Sequence, residues 1–204
     1  MRFTLLKKDF IFLFVALAAF LIGILFFLRV PPLVDESIHY LQILEPIHKE
    51  MRLPDHTPQI PGYHWTLTGF VLLTKNEAGW LLRIASSVIS FFAIISYFLL
   101  AKKVEIDSAA QKSLKLLLMP VLFTYFFLLY TDAYSMLWVF LALYAAISKR
   151  YFLSGIFSLL SVMVRQNNIV WSLFLCVFIY MENDNGEIFL DRKSTRLNSS
   201  HGKL

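Results

Sequence analysis

The chain has 204 residues, 58% of them hydrophobic, with 20 phenylalanines and a mean hydropathy of +0.64. An ordinary soluble domain is nearer about 45–50% apolar, so that class is excluded. The formal charge of +5 comes largely from the C-terminal stretch and falls to about +2 without residues 191–204, which leaves no basis for nucleic-acid binding.

Residues 10–28 form the first apolar run, and 11–28 carry no charge. That length meets the lower limit for a transmembrane helix. A secretory signal would end in small residues, whereas this run ends in Arg29 and Pro31-Pro32. Next comes "VDESIHYLQ", residues 34–42. A helix over 35–44 puts Asp35 and Glu36 one turn from His39 and brings Gln42 onto the same face. Ile38, Leu41 and Leu44 are then expected in lipid. The two acids also suit a first helical turn, where they meet the positive end of the helix dipole. Carboxylate and imidazole are metal ligands too, but three loosely spaced groups define no metal site and none is assigned.

Residues 61–74, "PGYHWTLTGFVLLT", are too few to cross a bilayer comfortably and are read as a helix in the interface. Further apolar runs follow at 80–101, 114–130, 134–148 and 151–181. Pro120 should kink the third. The last is long enough for two short spans, broken by Arg165-Gln166-Asn167-Asn168. Spans in lipid must be helices when no alternating barrel pattern is present. The fold class is therefore all-α, a polytopic membrane protein with one domain over 1–190. Cys176, the single cysteine, excludes an intrachain disulfide and a Cys-based metal site. No glycine-rich phosphate loop is present.

Residues 191–201, "DRKSTRLNSSH", break from the rest and read like the translation of a sequencing adaptor. The expectation is that 191–204 are foreign, that the remainder is an N-terminal fragment, and that the Asn198 sequon carries no meaning.

Basic residues cluster before the first span (Arg2, Lys7, Lys8), between the second and third (Lys102, Lys103, Lys112, Lys115) and between the fourth and fifth (Lys149, Arg150). If these clusters are cytoplasmic, residues 30–79, Asp132 and Arg165 all face the other side. Asp132 lies between apolar segments, where a carboxylate should face protein or a wet cavity. Arg165 is the same case with opposite sign. One reading is an Asp132–Arg165 ion pair that fixes packing; the other is an anion site, since a guanidinium donates two parallel bonds to phosphate.

These motifs resemble the dolichyl-phosphate-glucose α-1,2-glucosyltransferase family. "DESIHYLQ" looks like its DE-x-x-H-x-x-Q signature, and "IPGY", with Thr57 nearby, like its Thr-Thr-x-Pro-Gly-Leu-Tyr segment. "LYTDAYS" resembles its Tyr-Tyr-Thr-Asp/Glu-Ala-Gly-Ser loop, with Tyr134 in place of Gly. "RQNNIVW" resembles its Arg-Gln-Thr-Asn-Ile-Ile-Trp segment, with Asn167 in place of Thr. The four occur in the family's order. The resemblance implies a C-type multi-spanning glycosyltransferase that moves a hexose from a polyprenyl (dolichyl) phosphate sugar to a lipid-linked glycan. Its site would face the lumen of the endoplasmic reticulum, or the periplasm in a bacterium. By that analogy Asp35 is the base with Glu36 in reserve. His39, Gln42, Tyr63 and Asp132 bind acceptor or sugar, and Arg165 and Gln166 bind the donor phosphate. No cofactor beyond the donor is implied, and the partners are membrane lipid and lipid-linked saccharide. The rival reading is a transporter or flippase of lipid-linked sugar, which would more often show inverted repeats.

Overall fold

The computed structural model describes residues 7–48 and 61–184, and all secondary structure among them is helical. The helices are α1 (Lys7–Phe27), α2 (Val34–His48), α3 (Gly62–Thr74), α4 (Gly79–Val104), α5 (Ala109–Leu117), α6 (Pro120–Tyr125), α7 (Thr131–Ile147), α8 (Tyr151–Val164) and α9 (Ile169–Asp184). A 3-10 turn, Gln166–Asn168, separates the last two. By length and composition α1 and α4 can each cross a membrane, while α7 and α8 are apolar but shorter. The stretch at 191–204, with Arg2 and Thr57, lies outside the described residues.

Salt bridges fix the helix directions. Asp9 near the start of α1 pairs with Lys102 near the end of α4, both buried. At the other end, Arg83 in the first turns of α4 donates to the Phe27 and Val30 carbonyls that finish α1, at 2.7 Å each. So α1 and α4 are antiparallel. Tyr97 and Phe140 meet at 5.0 Å between ring centroids, and Ser86 bonds Leu128 O at 3.0 Å, so α7 runs parallel to α4. Lys8, Lys102, Lys112 and Lys149 therefore gather at one end of the bundle. Lys8 and Lys112 are paired there with Asp107 and Glu105.

The opposite end is capped by α2 and α3. They run side by side, His39 meeting His64 and Ile43 accepting from Thr68 Oγ1 at 2.7 Å. Their core of Ile43, Leu44, Tyr63, Leu67 and Val71 packs on Leu82, Leu129, Tyr134 and Val164. Leu82, Tyr134 and Val164 lie at the ends of their helices and Leu129 just before α7, so α3 bridges the start of α4 and the end of α8. Leu44, expected in lipid, is buried in this core, because α2 has protein on two sides; Ile38 and Leu41 of the same helix are exposed.

Three boundaries differ from expectation. The 114–130 run is not one kinked helix. Met119 is extended (ψ 118°), as a residue before proline prefers, and Pro120 opens α6 at its first position, where its missing N–H costs nothing. Residues 126–129 are non-helical and buried. Their polar groups are satisfied by protein, as irregular backbone at membrane depth requires: Leu128 O accepts from Ser86 Oγ and Leu129 N donates to Glu36. Finally, α7 begins at Thr131, so Asp132 sits in a first helical turn and not in a loop.

Candidate functional site

The carboxylates of α2 part company. Leu33 N donates to Glu36 Oε2 at 3.4 Å, which is the back-bond of a capping box. Glu36 is 1% exposed and grips Arg83 through two parallel bonds, Nε to Oε1 at 2.6 Å and Nη2 to Oε2 at 2.5 Å. Leu129 N adds a fourth donor at 3.2 Å. Both oxygens are thus fully engaged, and Glu36 points into the protein. The expectation that it stands beside Asp35 in the site is corrected: one residue along a helix is a turn of about 100°, enough to send the two carboxylates to different faces. A cavity of about 270 Å³ opens on the Glu36 side, walled by Leu28, Pro32, Tyr40 and Trp80.

Asp35, exposed, faces the other way, with His39 and Gln42 half-buried on successive turns. His39 Nδ1 lies 2.9 Å from His64 Nε2, the rings stacked at 5.2 Å and 25°. Tyr130 closes on His39 edge-on at 5.7 Å. Burial lowers the His39 pKa; a Gln42 hydrogen bond and the Asp35 and Asp132 carboxylates push it back up, and Arg165 lowers it again. Partial burial raises the Tyr130 pKa, and so does the negative field of Asp35, Glu36 and Asp132. His39 and Tyr130 thus stand in the common field of Asp35 and Asp132, and His39 in that of Arg165 as well; α2, the start of α7 and the segment after α8 bring these groups together.

Tyr63, expected to bind acceptor or sugar, lies in the core. It is 1% exposed, and its hydroxyl meets Ser86 Oγ at 3.2 Å. The buried face of α3 is Tyr63, His64, Leu67, Thr68 and Val71, which leaves Trp65 outward, 52% exposed.

Arg165 interrupts α8 and α9 in an extended conformation (φ −144°, ψ 118°). Its Nη1 donates to Asp132 Oδ1, so the ion pair is formed. Both side chains remain about a third exposed, at 35% and 31%. None of the other guanidinium N–H groups donates to a described residue, so the arginine retains donors for an anion. Gln166 is exposed beside it. Asn168 is buried and ties α7 to α8, donating to Ser135 Oγ at 2.7 Å and Ser161 O at 2.8 Å. Gly62 is required here: a Cβ at that position would lie 2.6 Å from the Met163 carbonyl. Its absence lets the Pro-Gly start of α3 pack against the turn that carries Arg165.

Sequence reasoning overlooked Arg83 and underrated His64. The signal for Arg83 was a lone guanidinium inside an apolar helix, which always needs a partner. Among the described residues no cluster of three or more His, Cys, Asp or Glu has the geometry to hold a metal.

The exposed carboxylate, the imidazole pair and the half-paired arginine form a polar patch at one end of an apolar bundle. The patch offers an exposed carboxylate and a guanidinium with N–H groups not donated to described residues. Comparison with protein-family models matches residues 32–201 to the DIE2/ALG10 family, a stretch that includes all four motifs and runs on through 191–201. No curated protein and no solved structure matches the chain. The matched span covers well over half of the chain, and the chain belongs to the DIE2/ALG10 family, the dolichyl-phosphate-glucose α-1,2-glucosyltransferases, membrane enzymes of lipid-linked oligosaccharide synthesis.

Proposed function

We propose that this protein transfers glucose, with inversion, from a polyprenyl phosphate to a hydroxyl of a lipid-linked oligosaccharide, at the end of the bundle opposite the basic clusters. That end would be the luminal face of a polytopic membrane enzyme. The observation that carries the reading is that α2, the start of α7 and the extended segment after α8 bring Asp35, His39, Asp132 and Arg165 into one polar patch. In the reaction a base must take the acceptor proton as the sugar carbon is attacked. Asp35 is exposed in the first turn of α2, free to do so. The leaving phosphodiester becomes a phosphomonoester and gains negative charge. Arg165, with guanidinium N–H groups to spare and Gln166 adjacent, stabilises that charge as it develops. Asp132 holds Arg165 in place, and His39 and Gln42 bind sugar hydroxyls. Glu36 supports the site from behind by fixing the start of α2.

The test is transfer of labelled glucose from dolichyl phosphate to acceptor in membranes carrying the full-length protein. Asp35→Asn keeps the side-chain shape and removes the proton acceptor, so turnover should vanish while membrane insertion persists. Arg165→Lys should lose most activity, since a point charge does not replace a planar fork. Normal turnover in Asp35→Asn would remove Asp35 as the base.

A further inference from the structure

The His39–His64 pair has a feature that the transfer mechanism does not itself use. His64 is 2% exposed, and its Nδ1 finds no hydrogen-bond partner among the described residues. Its Nε2 meets His39 Nδ1 at 2.9 Å. One proton sits between the two nitrogens, and its owner decides the character of the His39 nitrogen that remains. If His39 Nδ1 carries it, neutral His64 must keep a proton on Nδ1, as a buried N–H with no acceptor. If His64 Nε2 carries it, the His64 Nδ1 is a bare lone pair. Buried orphan N–H groups are rarer than under-satisfied acceptors, so the second arrangement is favoured. His39 then has a bare Nδ1 and a protonated Nε2.

We propose that His64 is a positioning residue that donates to His39 Nδ1 and so locks His39 as a neutral Nε2–H donor shared between Gln42 and the acceptor sugar. The inference rests on the glucosyl-transfer reading only for the identity of what His39 touches. Protonating His39 would place N–H against N–H across the pair, so His64 also resists an imidazolium at this spot. The groups facing the pair are Asp35 and Gln42 on α2, Tyr63 on α3, Tyr130 and Asp132 at the start of α7, and Arg165 after α8. Asp35 and Asp132 favour a cation on His39, and the lock opposes them.

The experiment combines two readouts on the full-length protein. In nanodiscs with 15N-labelled histidine, His39 should show a bare Nδ1 and a protonated Nε2, coupled across a hydrogen bond to His64. His64→Gln keeps a polar group near Nε2 but its amide can turn to offer oxygen or N–H. It should therefore populate both His39 tautomers, and the acid limb of kcat/KM for acceptor should move to higher pH. His64→Phe should raise the acceptor KM about ten-fold, with kcat less affected, as expected for one misaligned hydrogen bond. That penalty should disappear in a His39→Gln background. A protonated Nδ1 on His39 in the native protein overturns the proposal, and so does an unchanged tautomer in His64→Gln. A His64→Phe penalty that persists without His39 also overturns it. The nuclear magnetic resonance result does not depend on turnover, so failure of the lock is distinguishable from failure of Asp35 as base.

Discussion

The Glu36–Arg83 pair should be the costliest polar contact to break in this fold. Arg83→Met keeps the length of the side chain and removes four hydrogen bonds at once: two to Glu36 and one each to the Phe27 and Val30 carbonyls. Glu36 would remain 1% exposed with only two backbone donors, from Leu33 and Leu129. Removing one partner of a buried pair destabilises by about 3–5 kcal/mol, because the other charge is left uncompensated. For a chain of this size that corresponds to a fall of about 6–20 °C in melting temperature. Glu36→Leu should lie in the same range. The double variant Glu36→Leu/Arg83→Met should cost clearly less than the sum, since neither charge is stranded. Thermal unfolding of the detergent-solubilised protein, followed by circular dichroism, reads all three. A single variant that melts within 2 °C of wild type, by the same conversion under about 1 kcal/mol, would refute the claim that this pair joins α1, α2, α4 and residue 129. Additive costs in the double variant would show that the two side chains act independently.

Gly62→Ala should destabilise by about 1–3 kcal/mol, because the new methyl meets the Met163 carbonyl and not a movable side chain; glucose transfer should fall with it through displacement of Arg165. Burial lowers the His64 pKa to about 4. The neutral form is thus favoured by folding, its stabilisation is complete above the ordinary value of 6.5, and it is lost as pH falls from there toward 4. The loss should approach about 3 kcal/mol, and unfolding midpoints measured between pH 7 and pH 4 should flatten in His64→Phe. Cysteines introduced at Asn76 and at Ile106 should label from opposite sides of sealed membrane vesicles, because the two positions lie at opposite ends of α4; labelling of both from one side would overturn the proposed topology.

The periodicity and length of apolar runs were enough to read an all-helical chain, the breaks at 30–33 and 165–168, and one shared end for Asp35, Asp132 and Arg165. Those features follow from local chemistry and from alternation of charge between spans. The depth of each side chain was not legible. Asp35 and Glu36 are the same chemistry one residue apart. Only the position of Arg83, 47 residues later, decides which of them is drawn inward. Tyr63 and Trp65 likewise are two aromatic residues two positions apart, and only the packing of α2 and α8 defines which of them is covered. Proline 120 was seen as a kink because apolar character continues through it. The non-helical stretch 126–129 that follows α6 is held by Ser86 and Glu36, contacts no local pattern encodes.

The buried non-helical stretch 126–129 also bears on the order in which the chain assembles. Its backbone finds partners on side chains synthesised long before it, Ser86 and Glu36. The α1–α4 pair is clamped at one end by Arg83 and at the other by Lys102–Asp9, and all of these residues precede 126–129 in the chain. It is therefore a template that stands ready when Leu128 and Leu129 leave the ribosome. Until then the bilayer would be a poor host for those unpaired peptide groups. A lesion in Glu36 would thus act already at the moment of membrane insertion of α7, and would lower the yield of folded protein as well as the melting temperature of what folds.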